Sequence, residues 1–258
     1  MDKKYFFFDI DGTLTTKNPG GEVLPSTLNT IKQLKENGHF VAIATGRSFH
    51  DAKDYLDLLE IDCMVHDGGY GVTMNNQLIC KEPLDKNKAL AVCLECLEKE
   101  IPFCVVMDDS KHCISHHDAF LKGREMYRDF FQLQVIENLD YTKIENFYKI
   151  YIGCDETLEK EITSLRFVGH SRYFENHMNV EPDDKAVGIK KMMTYLSAPL
   201  EDLVVFGDGH NDVTMFQLAP TCIAMGNACD ELKNIATYIT SRSDEDGIEK
   251  ACMYFKWI

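Results

Sequence analysis

In the first 75 residues short apolar runs alternate with segments of helical period, the pattern that builds a parallel sheet with helices on its faces. Tyr5 to Phe8 predicts a buried central strand and Phe40 to Ala44 its parallel neighbour. Between them Leu28, Ile31 and Leu34 recur at helical spacing, with Ser26 as the expected N-cap and Gly38 where a left-handed C-cap belongs. This is a right-handed β-α-β unit. A second helix is expected from about Ser48 to Leu59, then a short strand at Cys63 to His66 and the glycine-rich turn Asp67-Gly68-Gly69.

The middle third changes character. Helical stretches are expected at Asp85 to Glu100, His117 to Phe131 and Glu156 to Leu165. Short strands are expected at Phe103 to Met107, His112 to Ser115, Tyr148 to Gly153, Phe167 to His170, Arg172 to Glu175 and Met178 to Glu181. Closely spaced strands with short turns predict an antiparallel sheet with helices on one face. Phe120, Tyr127 and Phe131 read as a helix face packed on that sheet rather than as a ligand platform. After Asp183-Asp184, read as helix capping, the alternating pattern resumes: helix 185–196, strand 203–206, helix 211–218 and strands 222–225 and 237–240. The expected organisation is a discontinuous core of residues 1–83 and 184–258, interrupted by an inserted α+β domain of residues 84–183.

Composition narrows the function. Lys and Arg total 27 against 42 Asp and Glu, a formal charge of −15, which repels nucleic-acid phosphates and anionic membrane surfaces. Apolar runs such as Tyr5 to Phe8 fall far short of the 18 or more residues that span a bilayer. The four apolar residues after Lys3-Lys4 are too few for a signal-peptide core. A cytoplasmic protein, monomeric or weakly dimeric, is expected, with ten reduced cysteines. Cys93 and Cys96 form one C-x-x-C, but without a second pair at finger spacing they read as one face of an apolar helix rather than a zinc site.

The candidate chemistry sits at strand ends. Asp9 and Asp11 follow the first strand directly, Thr45-Gly46-Arg47 follow the second, and Gly207-Asp208-Gly209-His210-Asn211-Asp212 follow the strand at 203–206, while Lys185 begins a core helix. In open α/β sheets the carboxyl ends of the strands are where ligands bind. Carboxylates gathered on one edge repel one another in a partly dry cleft unless a cation neutralises them. Mg²⁺ suits such a set, because it takes a few carboxylates, a backbone carbonyl, water and a substrate phosphate oxygen. Thr45, the turn at Gly46 and Lys185 supply donors and positive charge to the same anion.

Those motifs resemble the haloacid dehalogenase (HAD) superfamily, and within it the Cof-type phosphatases with a large inserted α/β cap. The similarity runs essentially the full length: D-x-D-G-T-L at 9–14, T-G-R at 45–47, Lys185, G-D-x-x-N-D at 207–212, Met225-Gly226-Asn227-Ala228 and Asp246-Gly247-Ile248. The resemblance implies a Rossmann-like parallel-sheet core and Asp9 as the nucleophile that forms an aspartyl-phosphate. It implies Asp11 as general acid and then base. It also implies an Mg²⁺ site from Asp9, the backbone carbonyl of Asp11, and Asp208, supported by Asp212. Thr45, Gly46, Lys185 and Asn211 would bind the phosphoryl group, and Arg47 would face the cap. To serve as an acid near neutral pH, Asp11 has to be protonated, which a neighbouring carboxylate and partial burial would favour.

The implied activity is Mg²⁺-dependent hydrolysis of small phosphorylated metabolites, sugar phosphates above all, with a phosphomutase or other phosphotransferase as the alternative. A signalling receiver domain needs only about half this length and lacks the second Asp, and no G-x-G-x-x-G follows the first strand for a nicotinamide cofactor. One departure stands out. Asp67 replaces the asparagine common in relatives, either as a tolerated turn residue or as a change in leaving-group preference. His210, at a variable position of the fourth motif, is open between a surface role and a substrate or pH role.

Overall fold

Phe6, Phe7 and Phe8 are wholly buried because β1 (Tyr5–Phe8) lies between parallel neighbours on both sides. In the computed structural model, which describes residues 2–108, 110, 112–124 and 132–258, one unit comprises the chain up to Cys80 and Asp184–Ile258, and a second comprises Lys81–Asp183. The first boundary falls three residues before the one expected at 83, where the sheet's last strand gives way to the linker.

The first unit continues through α1 (Pro25–Glu36), β2 (Phe40–Ala44), α2 (Phe49–Leu59), β3 (Met64–His66), β4 (Gly71–Met74) and β5 (Gln77–Lys81). The helix α1 begins with Pro25 rather than on a serine cap, and the Ser26 hydroxyl instead donates to Asp246 at 2.5 Å. Gly38, at φ +83°, ends the helix as its sequence position suggested. The β4–β5 hairpin has no counterpart in the sequence reading. Its turn is Asn75-Asn76, both at positive φ, which matches the twist of a tight hairpin.

The second unit starts with α3 (Lys86–Glu98), β6 (Phe103–Val106) and β7 (His112–Ser115), and continues through β8 (Gln132–Val135), β9 (Lys149–Ile152), α4 (Glu156–Glu159), β10 (His170–Phe174) and β11 (His177–Val180). Its sheet has the order β10-β11-β9-β6-β7-β8, antiparallel except for the parallel β7–β8 pair. One face of that sheet carries Phe103, Val105, Ile114, Ile150, Ile152, Met178 and Val180 against Ala89, Val92, Cys93 and Cys96 of α3. Both cysteines are wholly buried there, and burial raises their thiols, which is the helix-packing reading of the C-x-x-C.

Two expected helices of this unit are shorter. The one at 156–165 breaks after Glu159 and resumes as a 3₁₀ turn, Thr163–Phe167, because the Glu95 carboxylate takes the backbone N–H and hydroxyl of both Thr163 and Ser164. Phe167 therefore closes a turn instead of opening a strand, and the strand starts at His170. Of the helix expected at 117–131, the described part is a 3₁₀ turn at Ala119–Leu121 with Phe120 buried; Tyr127 and Phe131 lie outside the described residues.

The chain returns to the first unit through α5 (Lys185–Tyr195), β12 (Leu203–Gly207), α6 (Val213–Leu218), β13 (Thr221–Ala224), α7 (Asp230–Ile235), β14 (Tyr238–Ile239) and α8 (Gly247–Tyr254). Asp184 precedes α5 without a side-chain cap bond, against the capping expected there. The eight strands run β14-β13-β12-β1-β2-β3-β4-β5. Side chains alternate across this sheet as strand geometry requires. Phe6, Phe8, Val41 and Ile43 pack with α1, α2 and α8, while Phe7, Ala42, Ala44 and Val205 pack with α5, α6 and α7. Each fully buried aromatic contributes roughly 2–3 kcal/mol, so the central strands are fixed firmly and their carboxyl ends are well placed to hold polar groups.

Candidate active site

β1, β2 and β12 run parallel in register, Phe8 beside Ile43 and Phe206, so the residues that follow them emerge on one edge. After β1 the chain turns at once through Ile10–Leu14. Gly12, at φ +76°, is required in this turn, because a Cβ there would lie 2.2 Å from an Asp208 carboxylate oxygen.

Asp9, Asp208 and Asp212 are buried, and each offers an oxygen within 4.8 Å of the others; they form the one such acidic, histidine or cysteine group among the described residues. Lys185, fully buried, bridges two of them, its Nζ 2.6 Å from Asp9 Oδ1 and 2.5 Å from Asp212 Oδ1. Burial works against a charged lysine, but Asp212 and Asp9 outweigh it and raise its pKa above the ordinary value. One ammonium cannot balance three carboxylates. Burial raises Asp9 well above the usual carboxylate range, with Lys185 opposing and Asp212 and Asp208 adding to the rise. Burial, followed by the charge of Asp212, pushes Asp208 up to about 7.

The second oxygen of Asp212 braces the loop by accepting from the backbone N–H groups of Asp208 and Gly209, at 2.9 and 3.0 Å. Asp208 draws weaker donors: Thr13 Oγ1 at 3.5 Å and the side-chain amides of Asn18 and Asn227, each at 3.4 Å. Asp212 is fully bonded, but Asp208 has only distant donors and Asp9 is bonded at one oxygen, and oxygens so short of positive charge and of strong donors fit a hard divalent cation.

Asp11 lies apart from this cluster. Arg47 holds both its oxygens, Nε to Oδ2 at 2.8 Å and Nη2 to Oδ1 at 2.6 Å, and the N–H of Gly20 adds a third bond at 2.7 Å. The Asp11 carboxylate thus lies outside the group formed by Asp9, Asp208 and Asp212, where the resemblance implied a part for its backbone carbonyl only, and it has two charged neighbours, the Arg47 guanidinium that bonds it and the Asp208 carboxylate whose pKa its charge helps to raise. Arg47, expected to face the cap, gives its fork to Asp11 and stacks over Tyr55, 5.2 Å from the ring centroid. A bidentate Arg–carboxylate pair is strong and directional, so Asp11 can exchange a proton with a substrate only as that pair loosens.

Thr45 is buried at the end of β2, its Oγ1 accepting from the Arg47 N–H at 3.1 Å, which leaves the hydroxyl proton free to be donated elsewhere. Gly46 follows it on the same loop, and Asn211 sits partly exposed in the single turn His210–Asp212. Thr45, Gly46, Lys185, Asp208, Asn211 and Asp212 are thus placed at the carboxyl edge of the sheet with Asp9. His210 points to solvent, 76% exposed and 2.9 Å from Glu231, which is the surface reading. The sequence offered no signal for Asn18: it lies in a loop, and only the folded chain carries it to Asp208. Asn227 was marked as part of a motif without a role; its amide spans from Asp208 to the Gly12 carbonyl at 2.8 Å, and its own carbonyl accepts from the Ser243 N–H at 2.9 Å.

Comparison with known proteins places this arrangement. A sequence profile of the haloacid dehalogenase-like hydrolases matches residues 6–252. YkrA of Bacillus subtilis, to which phosphatase activity is ascribed by name only, is 34% identical over 255 residues and 97% of both chains. The 5-amino-6-(5-phospho-D-ribitylamino)uracil phosphatase YitU of Bacillus subtilis is 27% identical over 94% of this chain and 93% of its own. Among solved structures, a HAD subclass IIB sugar phosphatase superimposes with a TM-score of 0.76 at 26% identity, covering 99% of this chain and all of its own.

Proposed function

The chain belongs to the haloacid dehalogenase-like hydrolase family and is a phosphatase, and from that premise we propose that it hydrolyses monoesters of small phosphorylated metabolites, sugar phosphates above all, using Asp9 as nucleophile and Mg²⁺ as its metal. The observation that carries this reading is the buried cluster of Asp9, Asp208 and Asp212 with Lys185.

Lys185 holds Asp9 by Oδ1, and the second oxygen receives no hydrogen bond from the described residues, which supports its role as the attacking atom. Attack on phosphorus forms an aspartyl-phosphate and expels the alcohol, and water then cleaves the acyl phosphate, so that one slow step becomes two faster ones. Asp11 gives a proton to the leaving oxygen and takes one from the water, in concert with release of its pair with Arg47. Thr45 Oγ1, the Gly46 N–H, the Asn211 amide and the Lys185 ammonium fix the phosphoryl oxygens for in-line transfer. Asp9, the Asp11 backbone carbonyl and Asp208 would hold Mg²⁺, with Asp212 behind them. Bound there, the metal neutralises charge on the transferring phosphoryl group.

The substrate class is supported by two relatives similar over nearly the whole chain, a phosphatase of a phosphoribitylamino-uracil and a sugar phosphatase, whose leaving groups are polyhydroxylated. The inserted unit, Lys81–Asp183, would serve as the cap that selects among them. The test is inorganic phosphate release across a panel of phosphorylated metabolites in Mg²⁺ buffer. Sugar and sugar-alcohol phosphates are expected to lead, and Asp9→Asn to lose at least about 10⁴-fold in kcat with an unchanged circular dichroism spectrum. Isomerised sugar phosphate without free phosphate would instead show the mutase, and a fully active Asp9→Asn would overturn the covalent route.

A further inference from the structure

The turn that joins β3 to β4 is built from three successive residues at positive φ: Asp67 at +48°, Gly68 at +62° and Gly69 at +106°. On one side it binds the Thr45–Arg47 loop, the Asp67 N–H donating to the Arg47 carbonyl at 2.8 Å and the Gly68 N–H to the Thr45 carbonyl at 3.2 Å. On the other side the Gly68 carbonyl accepts from the N–H of Asp184, the residue before Lys185, at 2.9 Å. Contact there is close: a Cβ on Gly69 would lie 2.0 Å from the Asp184 carbonyl oxygen, and one on Gly188 would lie 2.6 Å from the Gly69 oxygen. A single turn therefore sets the spacing between the loop that carries Thr45, Gly46 and Arg47 and the helix that carries Lys185.

Two of its residues have no side chain, so the turn is anchored through Asp67. The Asp67 Oδ2 lies 2.7 Å from His66 Nδ1, and His66 Nε2 lies 3.1 Å from Thr73 Oγ1 on β4. With Nδ1 donating to the carboxylate, Nε2 accepts from the Thr73 hydroxyl. All three side chains are buried, Asp67 being 4% exposed, and the His66 ring fills the space a Cβ on Gly71 would need, 2.2 Å away. A residue chosen only to tolerate a left-handed turn would leave its carboxylate in water. Burying it is unfavourable unless a partner compensates, and glycine would adopt this φ at no steric cost.

We propose that His66 and Asp67 are positioning residues, locking the turn that holds the phosphate-binding loop of Thr45 and Gly46 in register with Lys185. The proposal rests on the assignment of those groups to phosphoryl binding. It assigns Asp67 a task that either of the two readings open from sequence would leave undone.

The experiment compares Asp67→Gly, Asp67→Asn and His66→Phe in the full chain, reading kcat, KM for the best phosphomonoester and Ki for inorganic phosphate. Asp67→Gly removes the anchor without backbone strain, and His66→Phe keeps the ring and removes both bonds. Each is expected to raise KM and the phosphate Ki by about 10-fold, with kcat falling less. Asp67→Asn, which keeps an acceptor for His66, is expected to stay within about 3-fold of wild type. A filler role would move melting temperature and leave Ki alone. Wild-type KM and Ki in a folded Asp67→Gly, or in His66→Phe should the glycine variant not fold, overturn the proposal. Equal losses in Asp67→Asn and Asp67→Gly overturn the hydrogen-bonded lock. If the wild-type protein itself releases no phosphate from any monoester, the assignment of function fails, and that result is distinct from an active wild type whose variants are unchanged.

Discussion

Asp208 in the first unit is buried and Glu95 in the second half-buried, and their carboxyl groups move in opposite directions. Asp208 is pushed up to about 7 by burial and by Asp212, and the donors that reach it are distant. Glu95 is lowered to about 2: burial alone would raise it, but the hydroxyls and backbone N–H groups of Ser164 and Thr163 outweigh that effect. Its four bonds run from 2.6 to 3.1 Å. The difference lies in compensation: Glu95 receives four hydrogen bonds from within its own unit, whereas Asp9, Asp208 and Asp212 share one ammonium among three carboxylates, the imbalance that the proposed metal would relieve.

Chelation is the strongest way to break the comparison. EDTA is expected to abolish phosphate release and Mg²⁺ to restore it; full activity in rigorously metal-free buffer would sever the cluster from function. The metal-free protein should also respond to pH in the direction set by its raised carboxyls. With Asp9 and Asp208 titrating higher folded than unfolded, the stability they confer is complete below about pH 4 and is lost as pH rises through about 7. The melting temperature of chelated protein should therefore fall between about pH 4 and 7; Mg²⁺ should restore most at the upper end of that range, and its binding within the range, where the carboxyls still hold protons, should release protons that calorimetry in buffers of different ionisation enthalpy can count. A chelated protein with no such slope would show that the acids are already compensated.

Glu95 gives the opposite sign and a smaller effect. Its contribution is present above about pH 4 and lost as pH falls through about 2. Glu95→Ala should cost about 2 kcal/mol in urea denaturation, the scale of hydrogen bonds to a charged group, while kcat/KM stays within about 3-fold. A large catalytic loss without destabilisation would place Glu95 on the functional side of the comparison. The smallest effect is expected at the exposed His210–Glu231 pair: His210→Ala should change kcat/KM by less than about 2-fold and stability by less than about 0.5 kcal/mol. A shifted pH–rate profile in that variant would reopen the pH role that the fourth motif suggested.

The sequence alone determined the alternation of strands and helices in the first unit and the position of each motif at a strand end. Both are local: an apolar run such as Tyr5 to Phe8 reports its own burial, and Asp9 follows it by one residue whatever the rest of the chain does. The inserted unit was less legible. The helix at 156–165 was interrupted by Glu95, a residue far from it in sequence, and the Asn75-Asn76 hairpin turn lacked the glycine that usually advertises one. Tertiary structure decided the partners. Arg47 meets Asp11 across 36 residues and Asn18 meets Asp208 across 190, while Asp67 finds its anchor in a histidine next to it only because the hairpin brings Thr73 to the far side of that ring. Residue type and spacing specify which groups can bond. Which of them do bond is set by the packing of β1, β2 and β12 against their helices, since side-chain bonds form only among groups that packing brings within about 3 Å of one another.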